Sequence, residues 1–461
     1  MLEEFAAAEF GDVRLTKRLL RIVEVLGPDP SASFPNAART EAELEGMYRF
    51  FGNQSVTPQR ILTPHVALTA ERARAAGRVV VAHDTTEFGF SGPREGLGKV
   101  NDTGQGFFAH CALAVELSND GMRRRPLGVL GLQALTRTGP ARRNHHTERI
   151  APEQRESFRW NQLVDHVQDA LGDEACVVHV MDSEADAYGL LAHMVARGAR
   201  FVVRSKHDRN VITSRGEQVK LNAELPTVDG QFVREVELSL RNAAHRERSG
   251  RKRNLARQAR SATLEFAATR VTFRRPKYDP SAAETLTLNV VHVRELNAPD
   301  GMEPVDWKLY TTEPIGQVAD IEAIVDMYRA RWLIEELFKA LKTGCAFEKR
   351  QLESLPALLN ALAVLMPLAY SLLLLRNLAR DDPDSPATQL FPALHLLILK
   401  RLKATMLAPD PTVHQAMLAV ARLGGHIKSN GAPGWIVLGR GYEKLLALAQ
   451  GAALIMTCDQ S

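Results

Sequence analysis

Apolar and polar positions recur on changing rhythms along this chain, and the changes divide it. Between Phe10 and Leu26, Leu15, Leu19, Val23 and Leu26 recur at helical spacing, with Arg14, Lys17, Arg18 and Arg21 on the opposite side. The pattern predicts an amphipathic helix with a basic stripe, capped by Asp12. A second helical pattern, Glu41 to Phe51, follows the polar turn Ser33-Phe34-Pro35-Asn36 and ends in the aromatic and basic run Tyr48-Arg49-Phe50-Phe51. Together these predict a small helical domain over residues 1–70.

The rhythm then shortens to that of strands. Arg78 to His83 is a β-branched run ending on Asp84. Phe107–Leu117 and Pro126–Leu135 flank Asn119-Asp120-Gly121, a hairpin signal, so an antiparallel meander of three strands spans Val79 to Leu135. Ser157 to Leu171 is helical, and Glu174 to Met181 is a fourth strand ending on Asp182. Three strands, a helix, then a strand tipped by a carboxylate is the RNase H-like order. Strand-like runs at 201–204, 232–240, 262–273, 285–293 and 307–312 predict a β-rich insertion at about 205–312. That insertion carries the densest basic run of the chain, His245 to Arg260. Beyond residue 345 the pattern is helical to residue 461, broken at Arg380–Thr388 and Gly424–Gly434. The fold class expected is α/β: an RNase H-like core over 71–345, interrupted by the β-rich insertion and flanked by N-terminal and C-terminal helical domains.

Asp326 to Lys342 contains neither Gly nor Pro and reads as one helix of more than four turns. At about 100° per residue, Tyr328, Arg331, Glu335 and Lys342 fall within roughly 60° of one another. Leu333, Leu337, Ala340 and Leu341 face the other way. The plain account of the polar stripe is a solvated face with an i,i+4 pair. Its chemistry also suits a phosphodiester: cations for phosphate oxygens, a phenol to position, and a carboxylate for a divalent metal.

Composition narrows the class. The chain is 45% hydrophobic and 24% charged over 461 residues, enough for two or three globular domains. A net charge of +4 means that any surface for nucleic acid is local. Cys111, Cys176, Cys345 and Cys458 form no CxxC pair, which argues against structural zinc and a disulfide framework and suits a reducing cytoplasm. The N-terminus carries acids where a secretory leader carries cations. Leu355–Leu375 is long and apolar enough to span a membrane but contains Asn360 and two prolines, so it is expected as a buried core helix and no membrane partner is expected.

Asp84, Asp182 and Glu335 are the candidate catalytic carboxylates. Converged without a counterion they would repel one another. Two Mg²⁺ ions about 4 Å apart would remove that penalty and activate water or a 3′-hydroxyl for attack at phosphorus.

On these residues the chain resembles DDE transposases of insertion-sequence family four, the group that includes the transposon Tn-five transposase. The resemblance runs from Gly11-Asp12-Val13-Arg14 through Tyr48-Arg49-Phe50, Asp84-Thr85-Thr86, Asp182 to Asp186 and Phe201 to His207. It continues through Trp307, the Tyr-x2-Arg-x3-Glu-x6-Lys pattern at Tyr328, Arg331, Glu335 and Lys342, and Ala421 to Gly425. It departs at Phe107-Phe108, where relatives place a Trp pair, and at His83.

The resemblance implies cut-and-paste transposition through a DNA hairpin, with Asp84, Asp182 and Glu335 binding two Mg²⁺ ions, for which Mn²⁺ can substitute. Tyr328, Arg331 and Lys342 would hold the backbone beside a flipped-out base that stacks on Trp307, Arg204 would support the hairpin-forming strand, and Lys206 would be a further DNA contact. Arg14, Lys17, Arg18 and Arg49 would contact the transposon terminal repeats. Residues 346–461 would dimerise the protein on DNA, and the setting would be cytoplasmic, on the nucleoid when DNA is bound. The rival readings are an RNase H-like metal-dependent nuclease and a non-catalytic repressor derived from a transposase.

Overall fold

The computed structural model describes residues 2–27, 30–100, 104–118, 121, 123–137, 155–238, 259–277, 279, 282–402, 407–427 and 433–458. The basic run beginning at His245 lies outside the described residues as far as position 258. The chain forms two compact units. The first gathers residues 1–154, 165–176 and 332–461, and the second 155–164 and 177–331. The secondary structure is mixed α/β.

In the first unit, α1 (Val13–Leu26) starts at Asp12, whose carboxylate accepts the Arg14 amide hydrogen, and it buries Leu19, Ile22, Val23, Val25 and Leu26. The expected polar turn at Ser33 is instead a single helical turn, α2 (Phe34–Ala37). Ser33 caps it through the Asn36 amide, and the buried Phe34 ring stacks 5.1 Å from Phe51 of α3 (Glu41–Phe51). A helix that the pattern does not predict, α4 (Pro58–Ala76), follows, with Pro64 inside it.

β1 (Arg78–Phe90) pairs antiparallel along its length with β3 (Gln105–Leu117), and β3 pairs with β4 (Arg124–Leu135). This is the expected meander, with the two-residue β2 (Gly98–Lys99) added beside β3. β1 does not end at Asp84. Thr86, Phe88 and Phe90 continue the buried alternation, so Asp84 sits mid-strand, opposite Cys111. α4 approaches β4 closely at Gly128, where a Cβ would come within 2.0 Å of the Thr69 hydroxyl oxygen.

α5 (Phe158–Leu171) begins in the second unit and ends in the first. β5 (Cys176–Met181) leads into the second unit, and after α6 (Tyr188–Ala196) β6 (Arg200–Arg204) lies parallel to it. The strands expected as an insertion are β7 (Asn210–Ile212), β8 (Gln218–Lys220), β9 (Phe232–Leu238), β10 (Arg260–Arg274), β11 (Thr285–Leu296) and β12 (Asp306–Thr311). The short α7 (Leu221–Glu224) follows β8. They extend the same mixed sheet in the order β5-β6-β12-β11-β10, with β9 and β7 on β10 and β8 on β7. Trp160, Tyr188, Phe201, Phe273 and Tyr310 fill the core beneath.

The stretch expected as one helix is broken. α8 (Val318–Ala330) ends before Arg331, which forms a turn with its amide bonded to the Tyr328 carbonyl. α9 (Trp332–Lys339) restarts and widens into a π turn, Ala340–Gly344. The break coincides with the boundary of the two units, since the second ends at Arg331 and the first resumes at Trp332.

α10 (Leu355–Asp381) is the apolar stretch noted above. It is long and apolar enough to cross a membrane, yet 83% of its most apolar window is buried. Asn360 within it donates to the carbonyls of Phe51 and Val56 at 2.9 and 3.1 Å, tying it to the N-terminal helices. α11 (Ala393–Arg401), α12 (Val413–Leu423) and α13 (Trp435–Cys458) complete the unit. α12 and α13 touch backbone to backbone: a Cβ on Gly441 would fall 1.8 Å from the Val420 carbonyl oxygen.

Candidate functional site

The sequence-predicted residues divide between the units, and each is described on its own element. In the first unit, Asp84 is half-buried on β1 and its carboxylate accepts the Thr85 amide hydrogen at 2.7 Å. Across the strand pair Thr85 Oγ1 lies 3.0 Å from His110 Nδ1, and the His110 ring lies 6.1 Å from the buried His83 ring. Burial pushes the Cys111 thiol well above its ordinary range, and the negative charge of Asp84 adds to the shift. His83, Thr85 and His110 share the face of the strand pair opposite to Asp84, because neighbouring strand side chains alternate, whereas Cys111 shares the face of Asp84. The Thr85–His110 contact follows from the cross-strand register, which a reading of one strand at a time does not give.

α9 packs on β1 and β3 and carries Glu335 in its first turn. The adjacent glutamates separate by role. Glu336 is buried against Arg380 of α10, with Oε1 3.4 Å from the guanidinium, whereas Glu335 is half-exposed. Lys342 comes from the π turn, its ammonium 5.5 Å from the centre of the Phe88 ring on β1. Glu348 fastens the following turn to β1 by accepting the Gly89 amide hydrogen at 2.9 Å.

In the second unit, Asp182 stands at the tip of β5, as expected, and caps a short turn by accepting the Glu184 amide hydrogen at 2.9 Å. Asp186, four residues on, is a structural anchor with no solvent-exposed side-chain area. It accepts the amide hydrogens of Lys206 and His207 at 2.7 and 2.8 Å and pairs with Arg209 at 2.6 Å. This carboxylate therefore shapes the loop after Arg204, leaving the Lys206 side chain exposed. Trp307 on β12 and Tyr328 on α8 come together as a ring pair. Tyr328 is 7% exposed, so it is not the freely presented phenol that the helical wheel predicts. The wheel fails for Tyr328 because it contains no tertiary partner, and Trp307 covers the ring. Arg331 is half-buried in the turn between α8 and α9.

Arg14, Lys17, Arg18 and Arg49 are exposed on α1 and α3. The stripe is partly neutralised: Arg14 pairs with Asp12 at 2.9 Å, Arg21 with Glu43 at 2.6 Å, and Arg49 with Glu45. The Arg18 guanidinium lies over Gly46 of α3, in the space a Cβ there would fill.

Among the described residues, no group of three or more His, Cys, Asp or Glu side chains gathers closely enough to hold a metal ion. The donor chemistry of the acidic residues nevertheless fits a hard cation, because Asp84, Asp182 and Glu335 each offer carboxylate oxygen.

Two family profiles match the chain. One, described as transposase DNA-binding, matches residues 1–56 and covers α1, α2 and α3 with their basic residues. The other, described as the transposase DDE domain, matches residues 152–372 and covers Asp182, Arg204, Lys206, Trp307, Tyr328, Arg331, Glu335 and Lys342, while Asp84 lies ahead of it.

Proposed function

We propose that this chain, a DDE transposase by the two domains it carries, excises and inserts a DNA element by cut-and-paste through a hairpin intermediate. The observation that carries the reading is the pairing of a transposase DNA-binding domain with a DDE domain that contains Asp182 and Glu335. Family four, with its Tn-five relative, and an RNase H-like core are the finer assignments that the Tyr-Arg-Glu-Lys spacing supports.

DDE transposase domains use divalent metals. Asp84, Asp182 and Glu335 would hold the ions, which in the bound state supply Lewis acidity for attack at phosphorus. Arg14, Lys17, Arg18 and Arg49 bind the terminal repeats through phosphates, releasing counterions as they do so. Arg331 and Lys342 take phosphates near the cleaved bond, and Arg204 and Lys206 hold the strand that bends. A hairpin needs one base out of the stack at a cost of a few kcal/mol, and an aromatic face returns about 1–3 kcal/mol of it. Trp307, held by Tyr328, is that face. A second copy of the chain completes the DNA complex through the C-terminal helices.

The test is a cleavage assay with DNA flanking the encoding gene, with Mg²⁺, Mn²⁺ or chelator, resolved on denaturing gels and followed by strand transfer from a 3′-hydroxyl end. Metal-dependent hairpins and joined products are expected. Cleavage without joining would leave only a nuclease.

A further inference from the structure

Arg350 is a buried cation that the reaction above does not use. It is 2% exposed, and its guanidinium donates to the main-chain carbonyls of Pro30, Ala32 and Cys345, the last at 2.7 Å. It also lies 5.0 Å from the centre of the Phe34 ring. Arginine keeps its proton at any physiological pH, so this charge is permanent and is accommodated by carbonyl dipoles.

Those carbonyls belong to segments with different tasks. Phe34 stacks on Phe51 and meets Tyr48 edge-on at 6.0 Å, so residues 30–34 are bound to α3 of the DNA-binding domain. Cys345 closes the π turn, its amide donating to the Ala340 carbonyl at 2.7 Å. That turn carries Lys342 and directly follows the helix that carries Glu335. A π turn holds one residue more than an α turn. Relaxing it would rotate the residues on one side by about 100° and lift Lys342 from Phe88. It is a local element with two discrete arrangements, the kind through which coupling travels.

We propose that Arg350 is a positioning residue that couples the DNA-binding domain to this turn. Engagement of DNA by α1–α3 shifts residues 30–34, Arg350 carries the shift to Cys345, and the turn resets Lys342 over β1. The inference rests on the transposase reading, since it presumes DNA at the N-terminal helices and phosphate near Lys342.

The experiment is hydrogen exchange on the full chain, with and without a duplex taken from the DNA flanking the gene, alongside single-turnover cleavage. Wild type is expected to change exchange at residues 340–345 when the duplex binds. R350K keeps the cation but loses the planar fork. It should lose that response and cleave about 5–150-fold more slowly at saturating DNA, the usual size of a coupling between sites, while its affinity stays within about threefold. F34L keeps every hydrogen bond and removes the ring; it should show a weakened response, and it decides the matter if R350K does not fold. An unchanged response at 340–345 in R350K, or none in wild type with DNA bound, overturns the proposal. So does a fall in melting temperature and affinity that accounts for all of the lost cleavage. Absence of cleavage by wild type with the exchange response intact would strike the transposase reading and leave the coupling standing.

Discussion

Trp307 and Tyr328 meet edge to face, with ring centres 5.5 Å apart and planes at 65°. One comes from a strand and the other from a helix, and such pairs contribute about 0.5–1.5 kcal/mol beyond their burial. The tyrosine thus serves the tryptophan as a buttress. Trp307→Ala should slow hairpin formation by about 5–150-fold, the equivalent of about 1–3 kcal/mol of stacking, while Tyr328→Phe, which keeps the ring, should cost much less. A 2-aminopurine placed at the cleavage point reports the unstacked base. Wild-type hairpin rates in Trp307→Ala would remove the ring from the mechanism.

Asp84→Asn, Asp182→Asn and Glu335→Gln should each abolish metal-dependent cleavage yet bind terminal DNA within a few-fold of wild type, as read by gel shift. Glu336→Gln is the control. Its carboxylate faces Arg380, so it should lower stability and spare the chemistry. Full cleavage by any of the first three would exclude that residue from the site.

Asp186 is buried with Arg209 and two amides, and removing one partner of a buried ion pair typically costs about 3–5 kcal/mol. Asp186→Ala should lower the denaturant midpoint accordingly and disorder the Lys206 loop, seen as faster proteolysis there. Asp186→Asn, which keeps an acceptor oxygen, should lose less.

His179 on β5 is wholly buried, and desolvation lowers its pKa to about 3 from 6.5. Between those values the unfolded chain takes up a proton that the folded chain refuses. Stability is therefore complete above pH 6.5 and declines as pH falls toward 3, by about 1.4 kcal/mol per unit from this residue. Denaturant midpoints at pH 7, 5.5 and 4.5 measure the slope, and His179→Val should flatten it.

Gly441→Ala would drive a methyl group into the Val420 carbonyl of α12. A loss of about 1–3 kcal/mol is expected from overpacking, and calorimetry checks it.

Regular pattern made much of this legible. The capped basic helix and Glu41–Phe51 follow from helical periodicity, because each buries one face, while the meander and the strands at 201–204, 262–273, 285–293 and 307–312 follow from apolar, β-branched runs, several of them buried on both faces. The departures have tertiary causes. Nothing between Asp326 and Lys342 disfavours a helix locally, so the turn at Arg331 comes from packing, as does the burial of Tyr328 against Trp307. β1 outruns Asp84 because Thr86, Phe88 and Phe90 have a partner strand to bury against, which a local reading of Asp84 as a terminator ignores. α4 is not legible from pattern because Pro64 interrupts its run. Asp186 follows Asp182 by four residues in sequence, yet its role depends on a loop 20 residues away.

The first unit is assembled from three separated pieces of chain, and this bears on synthesis. Phe51 meets Asn360 across 309 positions, and Ala32 meets Arg350 across 318. At about 5–20 residues per second, a ribosome needs roughly 15–60 s between exposing the one and the other. During that interval the nascent helices that grip DNA are without the long apolar helix that braces them, so a chain released early by a premature stop codon would yield a chaperone client rather than a smaller DNA-binding protein.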